Sequence, residues 1–307
     1  MAFRNLMIEN RAFVSIRHKN LSIKIDAEHS VPIEDINSIL IENAQSTITT
    51  AALSALAQNG VTVYICDAKH TPCAVMLPFV QHSRSYGMLK LQEGLTQPQK
   101  KRLWQQIVIG KIDNQAKCLE LTGQKEGAEH LRRLEKKVTS GDATNIEAEA
   151  AGYYFTALMG REFYRGDEED VRNAALNYGY AIIRGQIARL IVSYGFLPLK
   201  GIHHKSELNA YNLADDFIEP FRPLVDLFVV QYFASIEADG ESLEALTPPL
   251  KRALYNLLNM DILSDGQSYS VAYAAERLVQ SFTRCCEKVS KELLLPELIP
   301  LKLHSYE

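Results

Sequence analysis

Two adjacent imidazoles, His203 and His204, open the segment HHKSELNAYNLADDFIEPFRP, residues 203 to 223. Asp215, Asp216 and Glu219 follow them, just ahead of Pro220. Asp216 and Glu219 stand three apart, which on a helical turn places their Cβ atoms on one face, roughly 5–6 Å from each other. Carboxylates with imidazole nearby are the donor mixture a divalent cation takes from a protein. Proline disfavours helical geometry in the residue before it, so the spacing predicts a turn that ends at Glu219. Glu147, in the first turn of an earlier helix, is a further acid that could complete such a site.

Each of these residues also has a plainer use. A loop histidine bonds a carbonyl, Asp215 or Asp216 caps a helix, and Glu219 pairs with Arg222. Thr144-Asn145-Ile146-Glu147 matches a capping box, in which the glutamate reaches back to the cap amide. No zincin, Walker, Rossmann or EF-hand pattern decides between these uses.

The elements that must position these residues fall into two blocks. Residues 1–77 read as a small β-rich domain. Its strands are Leu6 to Ile8, Phe13 to Ile16, Leu21 to Ile25, Ile36 to Glu42 and the continuous apolar run Val61 to Cys66. A helix from Thr49 to Gln58 stops at Asn59-Gly60. Residues 78–98, with glycines and two prolines near the ends, read as a linker. Residues 99–307 then read as an almost all-α domain, giving an α+β chain. Helices are expected at Leu103 to Leu121, around Leu131 to Leu134, at Ile146 to Met159, at Asn173 to Tyr194 and at Leu224 to Ile236. Two more, broken at Asp265-Gly266, run from Leu250 to about Leu295, and the tail from Pro296 is expected to be loosely held. The Asn173 to Tyr194 stretch is apolar nearly all round, which places it at the centre of its domain.

Apolar residues make up 47% of the chain and charged ones 23%, a globular profile. No apolar run of about 18 residues is present, so no membrane span is expected. The opening MAFRNLMIEN sets acid and amide groups where a secretion signal needs an apolar core, and the protein is expected to be cytoplasmic. Five scattered cysteines without a CxxC pair argue against a zinc ribbon or a disulfide framework. The net charge is −4, yet residues 81–137 hold 12 Lys and Arg against 6 acids. That local excess suits phosphate binding, and an i,i+4-paired helix surface would look the same.

Three segments together resemble the CRISPR-associated spacer integrase, the larger and metal-dependent adaptation subunit of a CRISPR antiviral defence system, closest to its type II form. Glu147 to Phe155, EAEAAGYYF, is similar to the family's glutamate motif. Asn173 to Tyr180, NAALNYGY, is similar to its central helix. Gly201 to Asp226, with a histidine fifteen residues ahead of EPFRPLVD, is similar to its histidine and acid motifs. The resemblance implies a catalytic and metal-ligating set of Glu147, His204 and Glu219, holding Mg²⁺ or Mn²⁺. Glu149 rivals Glu147, but the seven-residue step to Tyr154 selects the latter; His203 rivals His204, but the step to Glu219 favours His204. Asp216, Asn173 and Tyr154 would support the ligands from behind. Arg84, Lys100, Lys101, Arg102, Arg161 and Arg165 would hold the DNA backbone. The implied function is insertion of spacer DNA into the repeat array by 3′-hydroxyl attack on a phosphodiester. Its implied partners are double-stranded DNA, a second copy of the chain meeting through residues 1–77, and a small companion subunit. A general metal-dependent nuclease for branched DNA and a non-catalytic DNA-binding scaffold are the other readings.

Overall fold

The computed structural model describes residues 4–68, 70–77 and 83–305. The linker's first residues, 78–82, lie outside them, as do the N-terminal tripeptide and the last two residues.

The chain opens with β1 (Arg4–Ile8), β2 (Phe13–Arg17), β3 (Asn20–Lys24), β4 (Glu28–Pro32), β5 (Ile36–Ile41) and the short β6 (Thr47–Ile48). Helix α1 (Thr50–Gln58), β7 (Thr62–Cys66) and β8 (Pro72–Met76) complete the β-rich part. Two four-stranded sheets result, in the orders β1-β5-β7-β8 and β4-β3-β2-β6. The alternation in β2 and β3 buries Val14, Leu21 and Ile23, which meet Ile39, Leu56 and Val63 in one core. Strands β4 and β8 are additions to the sequence reading. The first carries Glu28, His29 and Ser30 and so lacks an apolar signal; the second is apolar but opens on a proline, which argues against a strand.

The stretch expected to be a linker contains a helix, α2 (Ser85–Glu93). Its Gly87 lies within the helix and keeps a negative φ, so the glycine is not a break there. The helical part continues with α3 (Gln97–Leu121), α4 (Lys125–Glu135), α5 (Ile146–Met159) and α6 (Val171–Ser193). Next are α7 (Asn212–Ile218), a 3₁₀ turn (Glu219–Phe221), α8 (Arg222–Ala238) and α9 (Pro248–Tyr255). Helix α3 starts six residues ahead of the expected Leu103, because Pro98 sits in its first turn, where a missing N–H costs nothing.

The region after α9 corrects the expectation of two helices. A hairpin of β9 (Asp261–Ser264) and β10 (Gln267–Ser270) turns at Asp265 and Gly266, both at positive φ, and leads into α10 (Val271–Cys286). The tail is firmly held. β11 (Pro296–Glu297) pairs with β9, Asn114 Nδ2 donates to Pro296 O at 2.9 Å, and Leu298 is buried.

The two parts share a core. Leu40, Tyr64 and Cys66 of the β-rich part pack into the helical one, and the Tyr64 hydroxyl donates to Ile182 O at 2.8 Å. Gly185 permits this, since a Cβ there would stand 2.2 Å from the Tyr64 ring. Lys251 and Glu42 form a buried ion pair at 2.7 Å across the same junction. The five cysteines are free thiols. Among the described residues no helix is long and apolar enough to cross a membrane.

Candidate metal centre

Helix α5 starts in an unexpected way. Asn145 takes the left-handed conformation, φ 56°, and its side chain caps nothing. Asp142 does the capping instead: Ile146 N–H donates to its Oδ1 and Glu147 N–H to its Oδ2, each at 2.9 Å. The capping-box use of Glu147 is thereby overturned, because the first-turn amides already have an anionic acceptor. Glu147 is left half-buried and turned toward α3, while the rival Glu149 is exposed.

The histidine loop is built on Asp216. Its carboxylate, fully buried in α7, accepts backbone N–H groups from Ile202 at 2.5 Å and from His203 and His204 at 3.1 Å. Its Oδ1 also meets His204 Nδ1 at 2.8 Å. That bond holds the imidazole above its ordinary pKa and leaves Nε2 as the ring nitrogen free to act. Gly201 is required beneath: a Cβ there would lie 2.4 Å from His204 O and 2.8 Å from Asp216 Oδ2. Asn212 Nδ2 donates to Leu199 O and Ser206 O at 3.0 and 2.9 Å, closing the loop from the other side. Gln92 of α2 clamps its start, donating to Leu197 O and Lys200 O. His203 is otherwise occupied. It stacks on Trp104, ring centroids 4.1 Å apart and ring planes nearly parallel, and burial lowers its pKa.

Glu219 differs from the expectation in backbone but not in place. It keeps helical angles, φ −50° and ψ −47°, because Pro220 falls in the first turn of the 3₁₀ segment that continues α7. Its Oε1 accepts from Arg222 Nε at 2.9 Å, and its Oε2 lies 2.5 Å from Lys111 Nζ. The same ammonium donates to Glu147 Oε1. Two carboxylates from segments far apart in the chain therefore converge on one positive charge. Burial would raise the Glu219 carboxyl, but Lys111 and Arg222 outweigh it and hold the pKa down to about 2.

Among the described residues no three His, Cys, Asp or Glu side chains stand together as a ready metal-binding group. The donor chemistry nevertheless fits a divalent cation. Glu147 and Glu219 already share one cation, Lys111, and Glu219 turns a buried oxygen, Oε2, toward that shared position. The His204 ring is oriented by a carboxylate, the arrangement typical of metal-ligating imidazoles.

Residues 6–245 match the family model for CRISPR associated protein Cas1. The chain belongs to the Cas1 family. A CRISPR-associated endonuclease Cas1 from Neisseria meningitidis serogroup C is 45% identical over the whole of both chains, which agrees with the expected likeness to the type II form. As a family member the chain is an endonuclease of CRISPR adaptation. Solved structures share the fold. A casposase bound to integration product superposes with a TM-score of 0.76 at 19% identity, covering 95% of this chain and 92% of that one. A Cas6-RT-Cas1–Cas2 complex gives a TM-score of 0.74 at 20% identity, covering 97% of this chain and 36% of that chain. The α+β architecture, β-rich part first, is thus that of Cas1 structures.

The remaining predicted residues divide. The Tyr154 hydroxyl donates to Asp226 Oδ2 at 2.9 Å and Tyr180 donates to Oδ1, so Tyr154 is tied to Asp226 rather than to one of the three expected ligands. Asn173 does not support a ligand: its Nδ2 donates to Tyr164 O and Asp167 O, tying the 161–170 loop to α6. Arg165 is spent on Asn173 and Asn177, so its guanidinium is part of that tie. Arg84, Lys101, Arg102 and Arg161 are exposed, and Lys100 is half-buried. An open groove beside His204 is lined by Lys100, Lys200, Lys205, Ser206 and Asn209. Lys111 was missed: it belongs by sequence to the basic stretch read as phosphate-binding, and is instead buried at 7% between two acids.

Proposed function

We propose that this Cas1 chain inserts spacer DNA into a repeat array by direct transesterification, with Glu147, His204 and Glu219 holding Mg²⁺ or Mn²⁺. The observation that carries the reading is the convergence of Glu147 and Glu219 on a single positive charge, with His204 seated by Asp216 in the preceding loop. When bound, the cation supplies Lewis-acid polarisation of a phosphate oxygen and a place for a 3′ hydroxyl. The imidazole among the donors favours Mn²⁺ over Mg²⁺. Asp216 fixes the His204 ring, and Arg222 fixes one oxygen of Glu219, so neither donor has to be ordered when DNA arrives. Lys100, Lys200 and Lys205 line the adjoining groove and neutralise backbone phosphates, which makes binding salt-dependent and tolerant of sequence. One phosphodiester forms as another breaks, so no nucleoside triphosphate is needed. A second copy of the chain, joined through residues 1–77, and a small companion subunit complete the assembly. The Cas1–Cas2 pairing named for the structural neighbour supports the companion.

The test is strand joining into a repeat-containing plasmid with the companion subunit present. Glu147→Ala, His204→Ala and Glu219→Ala should each abolish joining while DNA binding persists. Cleavage of branched DNA without joining would instead establish a general nuclease. DNA binding without Mn²⁺ binding would establish a non-catalytic scaffold.

A further inference from the structure

Lys111 has no role in the reading just given, and its position demands one. It projects from the middle of α3, its side chain 9% exposed, and its ammonium is shared by Glu147 and Glu219. Around it the charges balance. Two carboxylates, Glu147 and Glu219, face one ammonium and the Arg222 guanidinium, which holds the other oxygen of Glu219. Arg222 cannot easily leave, because it also lies over the Tyr180 ring, 4.5 Å from its centroid. Without Lys111 the two acids would face each other across a buried space, a costly arrangement.

We propose that Lys111 is a resident counter-cation that keeps the affinity of the Glu147–Glu219 pair for divalent metal low until DNA phosphate is present. The inference rests on the metal reading above and concerns the order in which that site fills. A divalent ion added to a balanced set leaves two positive charges in surplus. Phosphodiester anions are the groups that offset them, and a lysine suits the exchange. Its ammonium is a compact charge on a flexible four-carbon stem, able to turn from carboxylate to phosphate without leaving the site. An arginine locked in a bidentate pair could not. Metal and DNA are then coupled ligands, each raising the affinity for the other by the same factor. The biological sense is that a DNA-cutting centre stays unloaded away from its substrate.

The experiment is a Mn²⁺ titration of the full chain, followed by the electron paramagnetic resonance of free Mn²⁺, with and without a repeat-sequence duplex. Wild type, Lys111→Met and Lys111→Gln are compared, and melting temperature is read in parallel. Wild type should bind Mn²⁺ about tenfold or more tightly with DNA than without. Lys111→Met and Lys111→Gln should bind it about tenfold or more tightly than wild type without DNA, and gain less from the duplex. Both variants should melt lower than wild type without metal and recover more on adding Mn²⁺. Glutamine keeps a hydrogen-bond donor between the acids, so it serves if the methionine variant does not fold. Equal Mn²⁺ affinity of wild type and variants without DNA would overturn the proposal, as would wild-type affinity that ignores DNA; both outcomes leave the metal site standing. Absence of Mn²⁺ binding by wild type in both conditions would overturn the metal reading and this proposal with it.

Discussion

His204 Nδ1 stands 2.8 Å from Asp216 Oδ1, and the same carboxylate gathers the backbone N–H groups of residues 202 to 204. One buried acid therefore sets the loop and the ring orientation, and raises the ring's pKa. Asp216→Asn keeps the shape but loses the anion. Joining activity should fall about 10–100-fold, the usual cost of losing such a partner behind a metal-ligating imidazole. The NMR titration of His204 should move to lower pH, since the Asp216 hydrogen bond is the main cause of its raised pKa. An unmoved titration would show that the ring owes nothing to Asp216.

The division of labour between Asp142 and Glu147 gives a second prediction. Asp142 accepts the first amides of α5, so Asp142→Ala should cost about 0.5–2 kcal/mol in urea unfolding, the usual range for a lost cap. Glu147→Gln should abolish joining and change stability much less. If Glu147→Gln destabilised the chain as much as Asp142→Ala while still joining DNA, Glu147 would be structural after all.

Much of this was readable in the residues, and the failures have physical causes. Helix α5 falls on the expected Ile146 to Met159 because Gly160, where φ is +90°, stops it there. The Asp142 cap was hidden because a left-handed Asn145 inserts a turn between the capping acid and the helix, displacing it from the usual spacing. The β9–β10 hairpin was hidden for a different reason: its strands have four residues each, too short to show alternation between two helices. Only Asp265-Gly266 marked it, and that pair stops a helix as readily as it turns a hairpin. Lys111 could not be read at all. Its charge looks like any other in a basic stretch, and only tertiary contact with acids 36 and 108 residues away reveals its use.

Asp226 carries a third prediction. It is fully buried, and burial raises its pKa to about 6 even though Tyr180 and Tyr154 donate to it. A carboxyl whose folded pKa lies above its unfolded value stabilises the fold at low pH, and that contribution is lost as pH rises through the folded pKa. The window here runs from about pH 4 to about pH 6. Asp226→Asn removes the titration, so its stability relative to wild type should improve by roughly 2–3 kcal/mol between pH 4 and pH 7. Urea unfolding at a series of pH values measures it, and a constant difference across that window would place the charge elsewhere.

The basic candidates separate by what their side chains already hold. Lys101 and Arg102 are exposed on the first turns of α3, whereas Arg165 is committed to Asn173 and Asn177. A side chain that neutralises a phosphate contributes about one unit to the slope of log affinity against log salt. Lys101→Ala with Arg102→Ala should therefore flatten that slope by about one to two units and leave the melting temperature near wild type. Arg165→Ala should do the reverse. It strips a charged partner from Asn173, whose amide secures the 161–170 loop, so the chain should melt lower while the salt slope holds. A flattened slope for Arg165→Ala would mean that the guanidinium leaves its asparagines when DNA binds.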